Sequence, residues 1–286
     1  MSPPVSETTT GHRTHRYLRL SLVVIMVAIG ISVGVEIVRE GGLVRESVSA
    51  YFYTPARNVF VGGLLATSLV LIALSGRDRA SVVLNFAALF APLIAIVPTG
   101  FEGRDVVPDG YLADIHNGVW TYGFVVLLVV AVAITLVITA QARPVGILVN
   151  AAIAIAVVIA LWLLTFARPL NEGFPFNPAL GISIHYLVTI IFFGAFIVVS
   201  ILNALPQERA VDAPPLTTGY RIAYLSIPAL LIVDVAVMQV AGPMSPDAPI
   251  VFIGEAAALA LFAIFWVVQT IERWNQPNQQ SILPRR

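Results

Sequence analysis

The 286 residues predict an all-α bundle that crosses a membrane about eight times: 58% of them are hydrophobic, only 11% are charged, and the apolar ones fall in long unbroken blocks. A helix rises ~1.5 Å per residue, so ~20 apolar residues cover the ~30 Å hydrocarbon layer. Backbone groups inside lipid must bond within their own segment, and blocks without the alternation of barrel strands leave helices as the solution.

The predicted spans run approximately from Leu20 to Val38, Asn58 to Ser75, Ser81 to Pro98, Ile115 to Ala140, Val145 to Phe166, Leu180 to Leu205, Ile222 to Ala241 and Pro249 to Ile271. Arg13, Arg16 and Arg19 precede the first block as they would in a secretory signal, but the run is too long and has no small-x-small cleavage site before Glu36. It is expected to remain as an anchor. Residues 1–17, with Pro3, Pro4 and a Thr-rich patch, are predicted to be a disordered cytoplasmic tail in which His12 and His15 are solvated. Residues 18–272 form one transmembrane domain, and 273–286 a second cytoplasmic tail.

Sixteen basic residues, all arginine, balance sixteen acidic ones, which removes any net-charge argument for a nucleic-acid partner. The absence of cysteine excludes a disulfide framework, a thiolate metal site and a thiol nucleophile. With the N-terminus in the cytoplasm, eleven arginines fall on that side and five on the other, which predicts both termini inside and a multi-pass plasma (inner) membrane protein, partnered by the lipid bilayer. The acidic loop of Glu102, Asp105, Asp109 and Asp114 then lies outside. It lacks the glycine and ligand spacing of an EF-hand and is expected to be solvated.

Asp234 and Glu255 each interrupt an apolar run, where a charged carboxylate costs ~2.5–3.5 kcal/mol on translocon scales and so needs a partner, a proton or water. Counted along their helices, Asp234, Glu255 and His185 reach similar depths from the outside, and Glu36, Arg57, Asn58, His116 and Asn117 sit at outer helix ends. The inner halves carry chiefly amides, Asn85, Asn203 and Gln269. An outward-facing polar pocket is therefore expected, with His185, Asp234, Glu255, His116, Arg57 and Asn58 as candidates for a ligand or proton pathway. The plainer account is interhelical hydrogen bonding at ~0.6 kcal/mol each, which suits Asn58, Asn85 and Asn117 best. Glu36 and Arg57 can pair with each other. Ile115-His116 and Ile184-His185 both open long apolar segments, a pattern that a duplicated two-helix unit would produce.

Tyr51, Phe52 and Tyr53 suit the membrane interface, as do Trp120 and Trp274. The segment from Ser47 to Gly62, Ser-Val-Ser-Ala-Tyr-Phe-Tyr-Thr-Pro-Ala-Arg-Asn-Val-Phe-Val-Gly, resembles a functionally uncharacterised family of bacterial multi-pass membrane proteins with a Ser-x-Ser-x-Tyr-Tyr-Tyr-Thr stretch followed by Arg-Asp-x-Phe-Val-Gly. Similarity extends to Phe-Phe-Gly after His185 and to the surroundings of Pro249, Glu255 and Trp266. Asn58 stands where that family carries Asp, so a charge pair with Arg57 at that position is not implied. The resemblance implies that the stretch around His116 and the fifth helix is an insertion into a six-helix plan, and it implies no activity.

His116, His185, Asp234 and Glu255 also have the ligand types of a zinc site, and in residue type they are similar to membrane hydrolases of the alkaline ceramidase and adiponectin-receptor kind. The His-x-x-x-His pair of such sites is missing, because Thr189 follows His185 by four. No phosphate-binding loop or nucleophile elbow is present. The leading expectation is thus a non-enzymatic, proton-coupled transporter or binder of a small polar or amphiphilic ligand, with no cofactor. A zinc-dependent intramembrane hydrolase and a noncatalytic assembly or sensory subunit are the alternatives.

The arginine asymmetry generates a topology prediction. A reporter that works only in the cytoplasm should be active when fused after Arg79, Arg143 or Arg286, and one that works only outside should be active after Asp109 or Asp247. The reverse pattern overturns the orientation.

Overall fold

In the computed structural model, the described residues are 8–75, 79–139, 144–176, 181–206, 215–245 and 248–274. They contain eight helices long and apolar enough to cross a membrane. These are α1 (Thr8–Arg39), α2 (Arg57–Leu74), α3 (Arg79–Ile96), α4 (Tyr111–Ile138), α5 (Pro144–Phe166), α6 (Ile184–Ala204), α7 (Thr218–Met244) and α8 (Ile250–Glu272), with a short 3-10 helix at Ser49–Tyr53 between α1 and α2. The chain is an all-α integral membrane bundle. An even number of crossings puts both ends on one side, here termed the terminal face, and the opposite side is the distal face.

Most boundaries fall within a few residues of those expected, α4 opens four residues early at Tyr111, and three further differences have physical reasons. The chain is already helical at Thr8, well before residue 17, because a helix nucleated by an apolar span extends into polar sequence at little further cost. Residues 1–7 lie outside the described residues. α6 opens at Ile184 rather than Leu180, after Gly181 at φ +66°, a left-handed conformation that interrupts a helix. α7 starts at Thr218, four residues early, where the Thr217 hydroxyl oxygen accepts the Tyr220 N–H at 3.5 Å.

Six helices form a closed cycle of neighbours: α1 packs on α2, α2 on α3, α3 on α6, α6 on α7, α7 on α8, and α8 on α1. α4 and α5 pack on each other as a hairpin and reach the cycle chiefly through α3. With neighbours on several sides, α3 is buried all round from Phe90 to Ala95. α7 is the reverse case, offering Ile222, Leu225, Leu230, Ile232, Val233, Val237 and Val240 to lipid. Hydroxyls cross-link the helices, Ser68 Oγ donating to the Ala88 carbonyl at 2.6 Å, Tyr122 Oη to that of Leu89 at 3.0 Å, and Ser200 Oγ to that of Tyr224 at 2.7 Å. Between α6 and α8, Phe196 meets Phe262 and Phe265 with ring centroids at 4.9 and 5.0 Å, and Trp266 closes this aromatic layer.

Glycine lets the hairpin close. A Cβ on Gly123 of α4 would lie 2.6 Å from the Trp162 indole of α5, and one on Gly118 would lie 2.5 Å from Ile96 of α3. The indole is hemmed in by Trp120 at 4.9 Å and Phe124 at 5.8 Å, so it cannot step aside cheaply. Gly123→Ala is therefore expected to destabilise the protein by about 1–3 kcal/mol through overpacking. Gly62→Ala, which meets nothing within 4 Å, serves as the control. Equal melting temperatures for the two variants in detergent would contradict this packing.

Candidate functional site

The distal face is organised around a loop folded into the bundle. The 3-10 helix Ser49–Tyr53 has Ser49, Ala50, Tyr51 and Phe52 buried, with Tyr51 fully enclosed. Its first N–H groups have no partner within so short a helix and must find acceptors elsewhere. The Glu255 carboxylate supplies one, accepting the Ser49 N–H on Oε2 at 2.8 Å. The Ser47 hydroxyl oxygen supplies the next, accepting from Ala50 N–H at 2.9 Å. The Tyr51 hydroxyl accepts the Arg45 N–H at 3.3 Å, and the Tyr53 hydroxyl donates to the Thr99 carbonyl at 2.8 Å. Burial raises the pKa of both phenols, so they remain neutral donors and acceptors.

Arg57 follows this loop at the first turn of α2. Its guanidinium lies 4.4 Å from the centre of the Phe52 ring and 5.3 Å from that of Tyr111, and it bonds Asp114 at 2.8 Å. Pairing with Glu36 does not occur. Glu36 is buried and takes Arg39 at 2.8 Å, the residue one helical turn on, because that partner costs no long-range closure. Asn58 is exposed. It makes no hydrogen bond among the described residues, because the α2 register turns it away from the loop.

His185 lies in the first turn of α6, buried, with Nδ1 2.6 Å from the Val97 carbonyl just beyond α3. A carbonyl only accepts, so Nδ1 carries the proton, and the imidazole satisfies a backbone group at a helix end. Its Nε2 is buried without a partner among the described residues. Asp234 faces α8 at the α7 seam, where its Oδ1 lies 3.2 Å from the Cβ position of Gly254 and its buried Oδ2 has no partner. His116 packs between Phe166 and Phe174, at 5.3 and 5.9 Å.

The six sequence candidates each have surroundings of their own. His185 serves α3, Glu255 serves the loop, Asp234 lies in the α7–α8 seam, Arg57 pairs with Asp114, Asn58 is exposed and His116 joins the aromatic hairpin. Similar depth placed them together in one dimension, but depth says nothing of which way a side chain turns around its helix axis. The four-ligand zinc arrangement fails for the same reason: no three His, Asp or Glu among the described residues stand close enough to share a metal ion. The two Ile-His pairs differ as well, since His185 is the second residue of α6 while α4 begins at Tyr111, a full turn before His116.

Two cavities lie elsewhere. A groove of about 600 Å³ runs between α1 and α8, walled by residues from Val23 to Ile37 on one side and Phe252 to Val267 on the other. A second cavity, of about 30 Å³, lies near the terminal face and is lined by Arg19, Ser81, Asn203, Trp266, Gln269 and Arg273 together with apolar neighbours. Arg19, Arg273 and Glu272 are all buried. The Arg273 guanidinium donates to Asn203 Oδ1 at 2.6 Å and lies 3.7 Å from Glu272 Oε2, which accepts the Tyr224 hydroxyl at 2.6 Å. Sequence reasoning treated these arginines as markers of orientation. Asn203 and Gln269, noted as the polar exceptions of the inner halves, were the signal that pointed here.

Glu255 yields a prediction that separates its hydrogen bond from its charge. Glu255→Ala strands the Ser49 N–H and should destabilise by about 1–3 kcal/mol, whereas Glu255→Gln retains an acceptor oxygen and should cost well under half of that. Thermal unfolding of both variants in detergent checks this, and equal losses would show that charge, not hydrogen bonding, is what the loop needs.

No protein-family model matches the chain, and neither a curated protein nor a solved structure does.

Proposed function

We propose that this integral membrane protein binds an amphiphile, with one alkyl chain in the α1–α8 groove and the polar end at the distal rim. The groove carries this proposal. Its volume lies in the range of small-molecule sites, about 300–1,000 Å³, and its walls are apolar throughout. From Val23 to Ile37 it extends about 21 Å at 1.5 Å per residue, enough for a long alkyl chain lying along the helices. Gly30, Gly34, Ala256 and Ala260 keep it open toward lipid. Val48 and Phe252 end it beside Ser49 and Glu255, where the polar atoms of the distal face begin.

A second proposal, proton-coupled transport, is supported by Asp234 alone. Its buried, unpartnered oxygen within the α7 span is an expensive arrangement that protonation relieves. Among the described residues, the zinc hydrolase alternative has no assembled ligand set to support it.

The groove can be filled without disturbing its walls. A Cβ on Gly30 or Gly34 meets nothing within 4 Å and leucine is the better helix former, so Gly30→Leu and Gly34→Leu should not lower the melting temperature. Native mass spectrometry of wild-type protein released from mild detergent should show one bound amphiphile, lost in both variants. Retention in both variants overturns the groove assignment. For proton coupling, ligand release should depend on pH in the wild type and not in Asp234→Asn; a dependence that persists places the proton elsewhere.

A further inference from the structure

The terminal-face cavity is lined by three buried donors that make no hydrogen bond among the described residues, although Arg273 Nε has the Glu272 carboxylate 3.7 Å away. Arg19 Nε, Arg273 Nε and Trp266 Nε1 are each buried without a hydrogen-bond partner among the described residues, and all three residues line the same space. Arg19, Arg273 and Trp266 are 5%, 6% and 1% exposed. Unpaired buried donors are costly, and their clustering calls for an acceptor between them. Charge points the same way. Among the described residues, the carboxylate that acts on both guanidiniums is Glu272, and it is engaged by Tyr224 and Arg273. Asn203 Oδ1 is likewise occupied, accepting from Arg273 at 2.6 Å and from Gln269 at 3.4 Å.

We propose that this cavity binds a phosphate group, held by Arg19, Arg273 and the Trp266 indole N–H. Paired guanidiniums match the oxygens of a tetrahedral oxyanion through fork-shaped donor sets, which suits phosphate better than a spherical anion. The size is compatible: about 30 Å³ exceeds the ~10–15 Å³ that a single water requires and suits one compact polar group. Its place is also that of a phosphate. Arg19 begins the apolar part of α1 and Arg273 ends α8, so the cavity sits at the level where the headgroups of one leaflet lie. The phosphate can belong to a lipid headgroup or be free in solution, and the recognition chemistry is the same. This site is separate from the α1–α8 groove and stands without it.

The test uses full-length protein in dodecyl maltoside, which contains no phosphate. Inorganic phosphate is titrated against chloride at matched ionic strength, and didecanoyl phosphatidate against the diacylglycerol with the same chains, with the melting temperature as readout. A saturable rise with both phosphate probes assigns the site to phosphate groups generally, and a rise with phosphatidate alone assigns it to a lipid headgroup. Arg19→Gln and Arg273→Gln should weaken the apparent affinity by about tenfold or more, the loss of one charge-assisted hydrogen bond. Should either fail to fold, Arg19→Lys keeps the charge without the fork, Trp266→Phe keeps the ring without the donor, and each should weaken binding several-fold. The proposal is overturned if chloride or diacylglycerol gives the same rise, if neither phosphate probe gives any, or if the folded variants bind like the wild type, which would mean that water alone satisfies these donors.

Discussion

The hydrogen bond from Ser49 N–H to the Glu255 carboxylate is the interaction on which the distal half of the bundle rests. A connection between transmembrane helices ordinarily lies in water, where its backbone groups are satisfied by solvent. Here it is tucked among the helices, and every buried N–H must be met by protein. Glu255 meets the first of them from α8, on the far side of the chain, and so fastens the α1–α2 connection to the last helix. Tyr51, Tyr53 and Arg57 then find their places against Arg45, Thr99 and Asp114. A deep carboxylate that looks expensive in isolation is given a partner here, the backbone N–H of Ser49.

The spans were legible because hydropathy over ~20 residues is a strong and local signal. What was not legible was rotation. Glu255 and Asp234 come to similar depth on neighbouring helices, yet one turns to Ser49 and the other to Gly254. The phase of each helix is set by packing of its small and aromatic residues against partners far away in sequence, such as Gly123 on Trp162. Arg19 and Arg273 were obscured for another reason. An arginine at a span end is the ordinary mark of the cytoplasmic side, and only burial distinguishes one that has turned inward.

The two faces are built in different ways. On the distal face a folded loop supplies the polar contacts, and the helices receive it. On the terminal face there is no such loop among the described residues, and the ends of α1, α6 and α8 supply Arg19, Asn203, Gln269 and Arg273 directly. The apolar seam of α1 and α8 joins these two polar ends. The α4–α5 hairpin reaches the distal face through Tyr111 and Asp114 of α4, which meet Arg57, and is otherwise held to the cycle by α3, while the stack of Trp120, Trp162 and Phe166 joins its own two helices.

Because α8 returns to α1, the first and last helices are neighbours, and at the terminal face the Arg16 guanidinium rests 4.6 Å from the centre of the Trp274 ring. The order of helices around the cycle is therefore independent of where the chain is cut. A covalent bridge between Arg16 and Trp274 would span little distance, and a chain opened between α4 and α5 would keep the neighbour relations of the six-helix cycle. Six of the helices are in this sense a closed circle, with the α1–α8 groove at the seam between its first and last members.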